Sequence, residues 1–317
     1  MDYNATNDNI LEIIGRIVAE IKKSVIGKDD VIYKILMAII ADGHILLEDI
    51  PGVGKTTLAL AVSKAMSLSF NRIQFTPDVM PSDVTGFNVF NKQTSRFNFY
   101  RGAVFANILL ADELNRTSGK TQSALLEAME EKSVTIDGET RELPNPFIVI
   151  ATQNPIGSVG TALLPESELD RFMIRLSLGY PDKISEMEIL RRKSAQQNED
   201  ILPVITVNDL LCLRENARKI VTDEKIYAYI ADLAQATRET EHFTAGISPR
   251  GSLALASLSR VAAMLKGRKF VLPEDVCSIW QEAECHRVTL TNNAKMSGHN
   301  VKSVLESILK KVPSPKL

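Results

Sequence analysis

The chain has 317 residues, 44% of them hydrophobic and 24% charged, and a formal net charge of −2. This is the composition of a globular protein with ample material for a core, enough for one large domain and a smaller one or for two of middling size. Near-neutral charge argues against a partner held by bulk electrostatics, such as nucleic acid or an anionic membrane surface.

No window approaches the ~18 apolar residues of a membrane span. The opening MDYNATNDNI lacks the basic and apolar runs of a signal peptide. Cys212, Cys277 and Cys285 are an odd number without metal-ligand spacing, so a disulfide scaffold is not expected and a reducing cytoplasm is. The acceptor triplet Asn4-Ala5-Thr6 is set aside, since such triplets arise often by chance.

Ile10, Ile13, Ile14, Ile17, Val18 and Ile21 fall on one face of a helix expected over Asn7–Lys23. A second amphipathic helix follows, with Asp29 as its N-cap and Val31, Ile32, Ile35, Leu36, Ile39 and Ile40 inward. The bend Val25-Ile26-Gly27 between them suits gripping an adenine ring and core packing about equally well.

His44–Leu58, HILLEDIPGVGKTTL, then reads as a buried strand, a glycine turn and a helix expected over Lys55–Met66. That order is what a phosphate-binding loop requires. Gly52 and Gly54 let backbone N–H groups turn inward around an anion, and the helix N-terminus adds its unsatisfied donors. Asp49, Pro51, Gly52, Val53, Gly54, Lys55, Thr56 and Thr57 are the candidate nucleotide-binding residues. Lys55 is suited to the β- and γ-phosphates and the Thr56 hydroxyl to Mg²⁺. The usual motif begins with glycine, and here that position is Asp49.

Asn71–Phe75 is expected as a second strand, followed by the polar, proline-punctuated loop Thr76–Gly86. Asn88–Arg101 suits a short hairpin or a plain surface excursion. Ile108–Ala111 is a buried strand ending in Asp112-Glu113. Beside a phosphate loop, Asp112 is placed to hold Mg²⁺ and Glu113 to polarise a water for in-line attack. A helix is expected over Lys120–Glu131, and the Asp137-Gly138 pair marks a hairpin. The buried strand Phe147–Thr152 leads to Gln153-Asn154-Pro155, where the Asn154 amide suits the attacking water or, more plainly, a turn before proline.

Leu164–Phe172 is expected as a short helix running into a strand at Phe172–Leu178. At this point the wording LLEDIPGVGKTTLA, QFTPDVMPSDVTG, LLADELNRTSGKTQSALLEAMEE, VIATQNP and LPESELDRF resembles the MoxR branch of the AAA+ ATPases. The likeness runs over roughly residues 24–289, and aspartate at position 49 is common in that branch.

The resemblance implies an α/β fold: a P-loop AAA+ parallel five-stranded sheet flanked by helices over residues 1–180, followed by a smaller all-helical lid over 181–317. It implies ATP and Mg²⁺, with Lys55 and Thr56 as Walker A, Asp112 and Glu113 as Walker B, and Asn154 as sensor 1. Arg171 matches the arginine finger that reaches a neighbouring subunit, its plain alternative being a surface pair with Glu168. Arg250 matches sensor 2, brought by the lid to the γ-phosphate, its plain alternative being a helix-start arginine. The two hairpins would face the centre or top of a ring.

The implied activity is ATP hydrolysis by a homo-oligomer, a hexameric ring, that remodels or activates a client, often a protein with a von Willebrand A domain. A nucleic-acid motor or loader, a magnesium-chelatase-like subunit and a nucleotide-gated scaffold are the alternatives. The neutral charge speaks against the first, and intact Asp112, Glu113 and Arg171 against the last.

Beyond Pro181 the pattern is helical, with helices expected over Asp182–Lys193, Asn208–Lys219, Asp223–Glu239, Arg250–Leu265 and Glu274–Val288. Trp280 and the cysteines are expected in the core, and His286-Arg287 in structural roles. Asn292–Leu317 is expected to be weakly helical at Val301–Leu309, with a loosely attached tail.

Overall fold

The computed structural model describes residues 7–50, 52–153, 164–194 and 199–316. Five parallel strands form its central sheet: β1 (Ile45–Glu48), β2 (Phe70–Gln74), β3 (Ile108–Asp112), β4 (Ile148–Gln153) and β5 (Ile174–Leu176). Their order is β2-β3-β4-β1-β5. β3 and β4 are buried along their whole length, as expected of inner strands covered on both faces by helices.

Alternation along the strands assigns each face to a different core. Ile45, Leu47, Ile108, Leu110, Ile148 and Ile150 join the N-terminal helices Asn7–Lys22 and Asp29–Ile40, the helix Lys55–Ala65 and the C-terminal helices in one continuous apolar cluster. Leu46, Leu109, Ala111, Val149 and Ala151 face the other way, onto Leu125, Leu126 and Met129 of the helix Gly119–Glu131. Val25 lies in the first cluster, so the bend there contributes to packing.

The two hairpins stand beside this second face. Gly86–Asn91 pairs with Arg96–Arg101, and Ser133–Ile136 with Glu139–Glu142. Asp137 and Gly138 both adopt positive φ (51° and 82°), the combination that a tight two-residue hairpin turn demands. At the base of the first hairpin a Cβ on Gly86 would lie 2.4 Å from the Tyr100 carbonyl oxygen, so only glycine fits. The hairpins touch through Asn88 Nδ2, which donates to Asp137 at 2.8 Å, and Arg141, whose guanidinium lies 4.2 Å from the centre of the Phe99 ring. Phe87, Phe90, Phe97 and Tyr100 remain exposed.

The helical part runs through Lys183–Ser194, Val207–Arg218, Glu224–Glu239, Pro249–Leu265 and Pro273–Glu284. Two expectations need correction. The helix expected to reach Val288 stops at Glu284, because Thr289–Leu290 pairs with Phe243–Ala245 in a small antiparallel ribbon. The helix expected at Val301–Leu309 runs over Val301–Lys311 and is docked on the core: it buries Val304, Leu305 and Ile308, and Trp280 Nε1 donates to the Leu305 carbonyl at 3.1 Å. Trp280 and Cys285 are in the core, as expected, whereas Cys212 is exposed. Among the described residues no helix is long and apolar enough to cross a membrane.

Candidate active site

The C-terminal ends of four strands meet in one row. In register, Gln74 lies opposite Asp112 and Glu48 opposite Gln153. This is the edge of an open parallel sheet where ligands bind, and β1, the inner strand that carries the loop, lies between β4 and β5.

The loop after β1 delivers Lys55 to that edge. Gly52 and Gly54 take φ of 85° and 95°, which turns the backbone so that the helix Lys55–Ala65 begins at the loop. Lys55 is buried, and its ammonium donates to the carbonyl oxygens of Asp49 (2.9 Å) and Ile50 (3.2 Å). Burial pushes its pKa down, opposed by the carboxylates of Asp49, Asp112 and Glu113. An ammonium resting on two neutral carbonyls of its own loop gains by exchanging them for phosphate oxygens. Thr56 is half-buried, Thr57 is exposed, and Val53 packs against the core. Pro51 lies outside the described residues.

Asp49 does something a glycine could not. Its side chain accepts from Ser177 Oγ at 3.2 Å and from the backbone N–H groups of Leu178 and Gly179. The carboxylate counted among the candidate nucleotide-binding residues is thus engaged by the chain that follows β5. It ties the loop to the exit of β5, the passage toward the helical part.

Asp112 is buried between two partners. Thr152 Oγ1 donates to one carboxylate oxygen at 2.7 Å, and Arg72 to the other at 2.7 Å. Glu113 adopts φ 55°, and its backbone N–H donates to the same Thr152 oxygen at 2.8 Å. Its carboxylate accepts from Gln74 (2.8 Å) and Arg116 (2.7 Å). Arg72, Gln74 and Thr152 were not read from the sequence. They reach the acidic pair from β2 and β4; Gln74 opens the QFTPDVMPSDVTG motif and Thr152 lies in VIATQNP, two residues before Asn154, whereas Arg72 lies in no motif. Asn154 itself lies outside the described residues.

Arg171 and Arg250 come together, but not at this edge. Both line a cavity of about 270 Å³ bounded by Asp42, Gly43 and His44. Those residues precede β1, whereas the loop follows it, so a four-residue strand, roughly 13 Å, separates the two places. Arg171 donates to the Leu126 carbonyl at 2.9 Å and to Glu130; Arg250 donates to the other oxygen of Glu130. The surface pair of Arg171 with Glu168 does not form. Arg250, expected to be brought by the lid to the γ-phosphate, lies beside Arg171 in this cavity.

The helical part is bolted to this arginine segment. Asp170 accepts from Ser248 Oγ (2.8 Å) and Arg287 Nε (2.9 Å). Arg287 also donates to the Phe172 carbonyl at 2.7 Å, and His286 Nε2 bonds the same oxygen at 2.8 Å. His286-Arg287 is structural, as expected.

Beneath them Glu284 is fully buried with both carboxylate oxygens unpartnered among the described residues. Burial pushes its pKa up from 4.5 to about 7, Arg287 opposing and Asp170 adding to the rise. The unfolded chain releases this proton near 4.5 and the folded chain near 7. Stability therefore falls as pH rises through that window and levels off above it. Glu284→Gln stays neutral throughout. Its stability relative to the parent is expected to gain about 3 kcal/mol between pH 4.5 and pH 8, read by urea unfolding at both pH values. A pH-independent difference would contradict the assignment.

The family model for the ATPase family associated with various cellular activities (AAA) matches residues 44–174, and that for the AAA lid domain matches 235–308. The chain is 42% identical over 312 residues to the YeaC protein of Bacillus subtilis (strain 168), covering 98% of both. It is 35% identical to the chaperone MoxR1 of Mycobacterium tuberculosis, covering 95% of this chain and 82% of that one. The chain is a MoxR-family AAA+ ATPase. A crystal structure of a Cytophaga hutchinsonii protein superposes on it with a TM-score of 0.92 at 38% identity, covering 98% and 97% of the two chains. In this MoxR-family ATPase the sheet edge at Lys55, Asp112 and Glu113 is the candidate nucleotide site.

Proposed function

We propose that this MoxR-family ATPase hydrolyses ATP in sites shared between neighbouring copies of a ring, a hexamer, and uses the turnover to remodel or activate a partner protein. The observation that carries the reading is the separation of Arg171 and Arg250 from Lys55 by the length of β1. Two arginines gathered at the wrong end of the sheet for their own loop suit a nucleotide held by another copy.

In this reading each candidate residue takes one role. The loop N–H groups and Lys55 bind the triphosphate, and Glu113 orients and deprotonates the attacking water. Asn154 assists at that water. Arg171 and Arg250 of the adjoining copy neutralise charge that develops on the γ-phosphate. Thr56 and Asp112 fit Mg²⁺, a hard cation that takes most of its ligands from phosphates and waters and needs few from protein. When bound, it would add charge neutralisation at the β- and γ-oxygens.

A chaperone-like role is supported by the likeness to chaperone MoxR1. The exposed aromatic residues of the first hairpin (Phe87, Phe90, Phe97 and Tyr100) are offered as the surface that grips the client, of which a von Willebrand A domain protein is the proposed example. Three cysteines free of disulfides suit a reducing cytoplasm.

The test is specific ATPase activity against protein concentration. A shared site makes activity per chain fall on dilution, as the assembly dissociates, and recover on concentration. Constant activity per chain down to concentrations where sizing shows only monomer would place the whole site within one copy and end the proposal.

A further inference from the structure

We infer that Glu130 is a positioning residue for catalysis: it sets the spacing and direction of Arg171 and Arg250 as a two-pronged anion clamp. The inference rests on the shared-site reading above.

Glu130 occupies the last turn of the helix Gly119–Glu131, the helix that follows the acidic pair. One of its carboxylate oxygens takes Arg171 Nη1 and the other takes Arg250 Nη2. The arginines lie 41 and 120 residues away in the chain. One enters from the segment before β5 and the other from the first turn of Pro249–Leu265 in the helical part. A single side chain thus registers two cations that belong to different parts of the molecule.

The bonds leave the clamp usable. Glu130 engages a single nitrogen of each guanidinium. Among the described residues, Nη2 of Arg171 and Nη1 of Arg250 have no hydrogen-bond partner, and Nε of Arg171 is buried without one. Two cations sharing one carboxylate keep a net positive charge. All three side chains retain exposure, 30% for Arg171, 44% for Arg250 and 42% for Glu130, and both arginines line the cavity that an anion would enter. Arginine carries about 2 kcal/mol of rotamer entropy. Ordering both before the phosphate arrives removes that cost from the step that needs them. Leu126 steadies Arg171 from one side through its carbonyl, whereas Glu130 is the only partner given to Arg250 among the described residues.

The experiment measures kcat and KM for ATP in Glu130→Ala and Glu130→Gln, with assembly followed by sedimentation and folding by thermal melts. Alanine is expected to lower kcat roughly 10- to 100-fold with KM, assembly and melting little changed. Glutamine, which retains one oxygen acceptor and so can hold one arginine, should fall between. Glu130→Ala combined with Arg250→Ala is expected to lose less than the product of the two single losses, since the two act as one unit.

An unchanged kcat, or losses that simply multiply, would overturn the role. A raised kcat would overturn it too, by showing that Glu130 holds the arginines out of action. Arg171→Ala in the same series separates the two failures. If it keeps wild-type turnover, the shared-site reading is wrong. If it is inactive while Glu130→Ala is not, only the positioning role is lost.

Discussion

Arg171→Ala is expected to lower steady-state ATP turnover by about 10³-fold or more, while ATP affinity changes little. Arg171 lies with Arg250 before the start of β1, whereas Lys55 follows its end, so its loss removes nothing that the same copy's loop uses to bind. The guanidinium acts only when another copy presents a γ-phosphate, and its contribution appears in the transition state. Mixing supplies the decisive measurement. Lys55→Ala has a damaged loop and an intact arginine, and Arg171→Ala the reverse. Each alone should be nearly inactive. In rings assembled at random from equal amounts, about a quarter of the sites combine an intact loop with an intact arginine. Recovery of activity toward that fraction is expected, and no recovery in rings shown to be mixed would exclude action between copies.

Glu113→Gln is expected to reduce kcat by about 10²–10⁴-fold with ATP binding retained, measured as single-turnover hydrolysis beside equilibrium binding. Glutamine fills the same space and can still meet Gln74, but it cannot take a proton from water. The site holds Glu113 at φ 55°, with its N–H on Thr152 and its carboxylate on Gln74 and Arg116. Those bonds hold the carboxylate at the strand end, where it would meet the attacking water. Turnover within tenfold of the parent would show that another group takes the proton.

Much of the nucleotide edge could be read along the chain for a chemical reason. A phosphate loop needs its glycines, lysine and hydroxyl within a few consecutive residues, and Gly52, Gly54, Lys55 and Thr56 satisfy that locally. Asp112-Glu113 needs only a buried strand that ends where the loop begins. Strand runs such as Ile108–Ala111 announce inner strands because they are apolar on both faces. The hairpin at Asp137-Gly138 was legible because its turn demands residues that tolerate positive φ.

What the sequence did not disclose depends on residues far apart in it. Arg72 and Gln74 reach the acidic pair because β2 lies beside β3 in register; no local pattern marks Arg72, and the motif that Gln74 opens does not say which strand it faces. Asp49 departs from the usual loop because its carboxylate binds the chain at Leu178 and Gly179, which only the pairing of β1 with β5 brings near. Motif order could place Arg250 in a lid but could not say which end of the sheet the lid approaches. Ser248 and Arg287 on Asp170 decide that, drawing the helix start toward Arg171. The chemistry of the loop was thus set by neighbours in the chain, where a few bonds fix geometry. The placement of the arginines was set by packing, where long-range contacts between buried polar groups choose the arrangement.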